Sequence, residues 1–292
     1  MSVAGQGREM RWTVNGLELA GLSWGEPGGC PLLALHGWLD NAASFAVLGP
    51  LLQGCEVVAL DLPGQGRSAH RSADASYQIW DDLPEILGVA DALGWDSFCL
   101  LGHSRGAIIS TLLASAFPER VQQLVLLDAV SPQALPQEEF PRQMRRALRD
   151  KVALLARQAR VFADTGQAIA TRTARGLGED AAALLVPRSL RACAGGQCWT
   201  TDARLHGASP VKLSEAQIEA VLQALDMPTL LLLAAGDESS PGRWMQEHAR
   251  RHIASLQVAE VPGGHHFHME AQAAEVARHV LEFMTAAQGA AG

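Results

Sequence analysis

Five short apolar runs punctuate the chain: PLLALH (31–36), EVVAL (56–60), SFCLL (97–101), VQQLVLL (121–127) and PTLLLLA (228–234). Several are apolar on both faces, as a strand covered above and below must be. Helical patterns lie among them, from Ser44 to Leu52, from Tyr77 to Leu93 with Gly94 as its stop, and from Gly106 to Phe117 with Pro118 behind it. A last one runs from about Ala271 to Met284. Such alternation specifies an α/β class fold, a mostly parallel central sheet with helices on both faces. Upstream, MRWTV and LELAGLSW flank Asn15-Gly16 and read as a hairpin with a two-residue turn.

The alternation stops between about Pro132 and Asp226. Helix-like pieces occur there (138–162, 181–185 and 214–225), joined by Gly/Ala-rich stretches, with no strand pattern. The expected organisation is a core of residues 1–131 and 227–292, with residues 132–226 a helical insertion after the sixth strand. A chain of 292 residues is long enough for that plan.

A formal net charge of −8 argues against a dedicated nucleic-acid binder, which needs a concentrated basic face. The one basic cluster, PRQMRRALRDKVALLARQAR, reads as a solvated helix face. MSVAGQGREM lacks a secretory pattern, and no stretch approaches the roughly 18 apolar residues of a membrane span. The five cysteines, Cys30, Cys55, Cys99, Cys193 and Cys198, are odd in number and scattered, so free thiols and a reducing cytoplasmic setting are expected. Cys193 and Cys198 are close but have no second ligand pair for zinc. No metal or cofactor is expected, and the protein is taken as a monomer or homodimer.

GHSRGA follows SFCLL directly and opens the helix pattern AIISTLLASAF. A serine hydroxyl is a poor nucleophile until a base takes its proton. A sharp strand-to-helix turn would lift Ser104 above the sheet edge, and Gly102 and Gly106 fit the close packing of such a turn. The base would be an imidazole, which takes and returns a proton near neutral pH; GGHHFHME offers His265, His266 and His268.

LALHGW, VVALDLPGQGRS, LLGHSRGA, PTLLLLAAGDESSP and PGGHHFHME resemble the successive signatures of the α/β-hydrolase superfamily, in its order, from His36 to Glu270. HGWLDNAASF, DLPGQGRS and GGHHFHME are similar to the serine-hydrolase-like group of small esterase-type enzymes within it. The resemblance implies an α/β-hydrolase fold with a helical cap and a triad in the order Ser, Asp, His. It makes Ser104 the nucleophile and His265 the base, since Glu270 follows His265 at the family's five-residue spacing. It makes Asp237, after PTLLLLA, the preferred acid, although Ala234 stands where a glycine is expected. Asp128, 24 residues past Ser104, is the alternative, in the place haloalkane dehalogenases use.

The backbone N–H groups of Trp38 and Arg105 are the implied oxyanion donors. His36 and Trp199 are candidates for the surroundings of a pocket that takes a small or medium apolar acyl group, His36 chiefly by fixing its loop. Arg105 would meet an acidic substrate group or a carboxylate of the cap. A serine at 104 argues against dehalogenase and epoxide hydrolase chemistry, which need an aspartate there. The expected reaction is hydrolysis of an ester, thioester or lactone by a carboxylesterase-type serine hydrolase. The alternatives are carbon–carbon bond hydrolysis, or a ligand-binding protein with a vestigial triad.

Overall fold

The computed structural model describes residues 5, 7–157, 159–235 and 241–290. Strands β1 (Arg8–Val14) and β2 (Leu17–Trp24) form the expected hairpin. Its two turn residues, Asn15 and Gly16, have φ of 52° and 78°, the backbone that an Asn-Gly turn of this kind requires. Strands β3 (Cys30–Leu35) and β4 (Cys55–Leu60) follow, then α1 (Leu83–Ala92), β5 (Phe98–His103), α2 (Arg105–Ala116) and β6 (Val121–Leu127).

The later elements are α3 (Phe140–Leu155), β7 (Val161–Phe162), α4 (Thr165–Thr173), α5 (Glu179–Leu185), β8 (Leu190–Cys193), β9 (Gly196–Trp199) and α6 (Glu215–Gln223). They are followed by β10 (Thr229–Ala235), α7 (Pro241–His252), β11 (Leu256–Pro262) and α8 (Ala273–Ala290).

Eight strands form one sheet in the order β1-β2-β4-β3-β5-β6-β10-β11. The β1/β2 and β2/β4 pairs are antiparallel and the rest parallel. Alternate residues of each strand face opposite sides. Leu33 and Leu35 therefore pack with Ile86 of α1 and Ile109 and Leu113 of α2. Leu32 and Ala34 pack with Phe45 and with Val276 and Val280 of α8 on the other face.

The segment between β6 and β10 departs from the all-helical expectation. Strands β7, β9 and β8 form a small antiparallel sheet there. They are only two to four residues long, too short to show periodicity in sequence. Helix α6 packs against α2, and its Ile218 and Leu222 join the main core.

Two helical patterns are also shortened. Ser44 to Leu52 forms two 3₁₀ turns, at Ala42–Phe45 and Gly49–Leu51. In the other, α1 begins only at Leu83, where Pro84 occupies the first turn. β11 is an edge strand, largely half-exposed, and lacks the continuous apolar run that marks its buried neighbours.

Candidate active site

Ser104 sits between β5 and α2 with φ 52° and ψ −117°, a conformation that side-chain-bearing residues rarely adopt. Its N–H donates to the Leu127 carbonyl at 3.0 Å, anchoring the turn to β6. A Cβ at Gly102 would lie 2.5 Å from the Ala107 Cα, and one at Gly106 only 2.0 Å from the Leu35 carbonyl oxygen. Both glycines are thus required by close backbone approach, which holds the serine side chain at the sheet's carboxyl edge. Leu39 (φ 62°) and Asp128 (φ 57°), just past β3 and β6, are also left-handed, so uncommon backbone collects at these strand ends.

His265 lies in the loop between β11 and α8. Its Nδ1–H donates to Asp128 Oδ2 at 2.6 Å, while Asp128 Oδ1 accepts the Ala234 N–H at 3.0 Å. Asp128 is fully buried and His265 about a quarter exposed. The carboxylate on this imidazole is therefore the alternative acid, Asp128, delivered by the end of β6. Asp237, the preferred one, lies outside the described residues. Ser104 Oγ has no hydrogen-bond partner among the described residues, and Ser104 is partly exposed.

Two further histidines brace this loop, His103, which sequence reasoning passed over, and His268, which it offered beside His265. His103 is fully buried, and its Nε2–H donates to the His265 carbonyl at 2.8 Å. Its ring stands 4.7 Å from that of His265 and 4.2 Å from that of His268. Burial first, then the nearby imidazoles, hold His103 well below the ordinary histidine range. His268 is also buried, bonded through Nε2 to Ser44 Oγ at 2.9 Å, and depressed mainly by burial. The signal was available: a titratable residue inside a buried apolar strand needs a dedicated partner, and His103 is such a residue.

His36 is fully buried. Its Nε2 accepts the Leu62 N–H at 3.0 Å and its Nδ1–H donates to the Gly37 carbonyl at 2.8 Å. Both ring nitrogens are engaged by backbone, so His36 ties Gly37 to Leu62 beyond β4. Asp40, next in that loop, takes Arg172 of α4 at 2.7 Å and lies 3.6 Å from His266. Burial alone would raise the Asp40 carboxyl, but His266, Arg172 and His36 outweigh it and hold it below its ordinary value.

Trp38 is half exposed, and its indole N–H donates to the Leu205 carbonyl at 2.9 Å. The next N–H, of Leu39, is occupied by Gln65 Oε1 at 2.8 Å. Arg105 is the first residue of α2, so its N–H has no intrahelical acceptor. Its guanidinium meets Asp82 at 3.1 Å, a buried carboxylate beside α1 and not one from residues 132–226. Trp199 stacks edge-on against Phe162 at 4.9 Å and lines a cavity of about 470 Å³ walled mostly by residues between Arg157 and His206.

The profile of the alpha/beta hydrolase fold matches residues 31–272. The chain belongs to that family. It is 30% identical to a serine hydrolase-like protein of Dictyostelium discoideum, over 92% of this chain and 79% of that protein. A serine hydrolase-like protein of Danio rerio is 31% identical over 89% of this chain and 83% of its own length. Among solved structures, a hypothetical protein from Pseudomonas aeruginosa PAO1 superposes with a TM-score of 0.86 at 39% identity, covering 95% of this chain and 98% of that one. The thioesterase domain of a curacin biosynthetic pathway gives a TM-score of 0.79 at 25% identity, over 94% and 99%. The hydrolase thus falls within the serine-hydrolase-like group of its superfamily.

Proposed function

We propose that the protein is a serine hydrolase that cleaves a carboxylic ester or thioester through an acyl-enzyme. Ser104 Oγ attacks the carbonyl carbon as His265 Nε2 takes its proton. Asp128 accepts the Nδ1–H, fixing the tautomer and stabilising the imidazolium. The Trp38 and Arg105 N–H groups receive the oxyanion. Collapse of the tetrahedral intermediate breaks the bond to the leaving group, which takes the proton from His265. Water, deprotonated by the same imidazole, then attacks the acyl-enzyme and releases the acid. Residues 132–226 cap the site and select the substrate.

The observation that carries this reading is the 2.6 Å bond from His265 Nδ1 to Asp128, on a loop held against the residue preceding a strained Ser104. That Leu39 N–H already has an acceptor supports Trp38 as the second oxyanion donor. Stoichiometric labelling of Ser104 by a fluorophosphonate, together with short-chain aryl ester turnover lost in Ser104→Ala, is the expected result. Equal turnover by the native protein and Ser104→Ala, with no labelling, would return the fold to a binding role.

A further inference from the structure

The cavity of about 470 Å³ that contains Trp199 is lined by Arg157, Arg160, Arg172, Arg175 and Arg191 and by no carboxylate. Its volume is that of a small-molecule site. Arg172 is paired with Asp40. The other four have no carboxylate within ion-pair distance among the described residues, in a chain whose net charge is −8. Most other described arginines of this protein are paired, including Arg67, Arg71, Arg105, Arg120, Arg188 and Arg204. All four are exposed, and Arg160 packs over the Phe162 ring at 5.0 Å from its centroid. Gathered from just past α3, just past α4 and β8, these like charges repel one another, and a bound anion would relieve that repulsion.

The lining histidine His206 senses that field. Burial, then the charges of Arg157 and Arg175, hold it below its ordinary value.

The cavity also adjoins the candidate catalytic loop. Leu39 lines it, one residue from the Trp38 N–H, and Arg172 reaches the Leu39 carbonyl at 3.4 Å as well as Asp40.

We propose that this cavity binds a phosphate or pyrophosphate group on the substrate, presented while the scissile carbonyl lies at Ser104. A single carboxylate would answer one or two guanidiniums. Four guanidiniums without a carboxylate match a group with several charges and several acceptor oxygens, which guanidinium forks engage bidentately. The Trp199 ring in the same lining offers an apolar face beside them. This rests on the hydrolase reading for the word substrate, but the binding itself does not.

Calorimetry on the Ser104→Ala protein tests it without requiring turnover. The ligands are inorganic pyrophosphate, coenzyme A, glycerol 3-phosphate and succinate. Pyrophosphate should bind saturably and weaken with added salt, and succinate should bind at least about tenfold more weakly. Tighter coenzyme A than glycerol 3-phosphate assigns the phosphate to a thiol carrier, and the reverse assigns it to a phosphorylated alcohol; either supports the site. Arg157→Gln/Arg175→Gln/Arg191→Gln should cost pyrophosphate at least about tenfold. Arg142→Gln/Arg145→Gln/Arg146→Gln, on the outer side of α3, should not. No pyrophosphate binding, succinate binding equally well, or equal losses in the two triple variants would overturn the assignment. Failure of Ser104 labelling with pyrophosphate binding intact would sink the hydrolase reading alone.

Discussion

At the strand ends of the sheet, Asp128 is bonded to His265, His103 to the His265 carbonyl and His268 to Ser44 Oγ, and the rings of His103 and His268 are fully buried. In the segment between β6 and β10, Arg157, Arg160, Arg175 and Arg191 stand around a cavity with no acidic partner among the described residues. The first region ties its loop to the strand ends through these bonds, although Nδ1 of His103 and of His268 has no hydrogen bond among the described residues, and so is positioned before any ligand arrives. The second gathers solvated positive charge with no acidic partner among the described residues and so depends on what arrives. A fixed reaction centre beside a charged receiving surface separates chemistry from selection, and each side can be broken without the other.

The largest expected effect breaks the fixed side. Asp128→Asn keeps the shape of the carboxylate but offers His265 Nδ1 an amide, which favours the wrong tautomer. Ester turnover should fall on the order of 10³–10⁴-fold with little change in KM. Asp237→Asn, measured beside it, should lose far less, because the Nδ1 proton has its acceptor in Asp128. The opposite pattern would return the acid to Asp237.

Next in size is Gly106→Ala. The added methyl would meet the Leu35 carbonyl oxygen at 2.0 Å and the His36 carbonyl at 2.7 Å, both backbone atoms. Overpacking of that severity should cost about 3 kcal/mol or more in urea unfolding. The cost falls on the strand-end side, and pyrophosphate binding by the protein that remains folded should persist.

The buried imidazoles make that side sensitive to acid. His103 and His268 are neutral in the folded protein with values well below 6.5, whereas the unfolded chain takes up protons as pH falls through about 6.5. The unfolded state then binds more protons, so their contribution is complete above about pH 6.5 and is lost as pH drops below it. Each should remove about 1.4 kcal/mol per pH unit once well under that value. Urea midpoints at pH 7 and pH 5 check this, and equal stability at both would show the rings protonated in place.

How much of this was legible in the sequence follows the same division. Gly102, Ser104 and Gly106 could be read because a strand-to-helix turn leaves a local pattern, and the structure gives both glycines a steric reason. The parallel strands could be read because burial on both faces makes them continuously apolar. The partner of His265 could not. Asp128 and Asp237 both follow apolar strands, and only the three-dimensional register brings Asp128 Oδ2 to the ring. The arginine cavity was invisible for a related reason, since Arg157 and Arg160 sit 30 or more positions from Arg191 and meet it only after β7, β8 and β9 form.

The smallest expected effect separates two ends of one basic run. In PRQMRRALRDKVALLARQAR, Arg142 is 82% exposed and pairs with Glu139 one turn away, as a solvated helix face should. Arg157 and Arg160, at the far end of the same run, line the cavity. Arg142→Ala should therefore change stability by no more than about 0.5 kcal/mol, because an exposed ion pair three residues apart contributes little against screening and side-chain entropy. Its pyrophosphate affinity should match that of the native protein. Charge counted along the sequence treats the two ends alike, so a loss of affinity in Arg142→Ala comparable to that in Arg157→Gln would mean that the run acts through its total charge and that the cavity has no special claim on it.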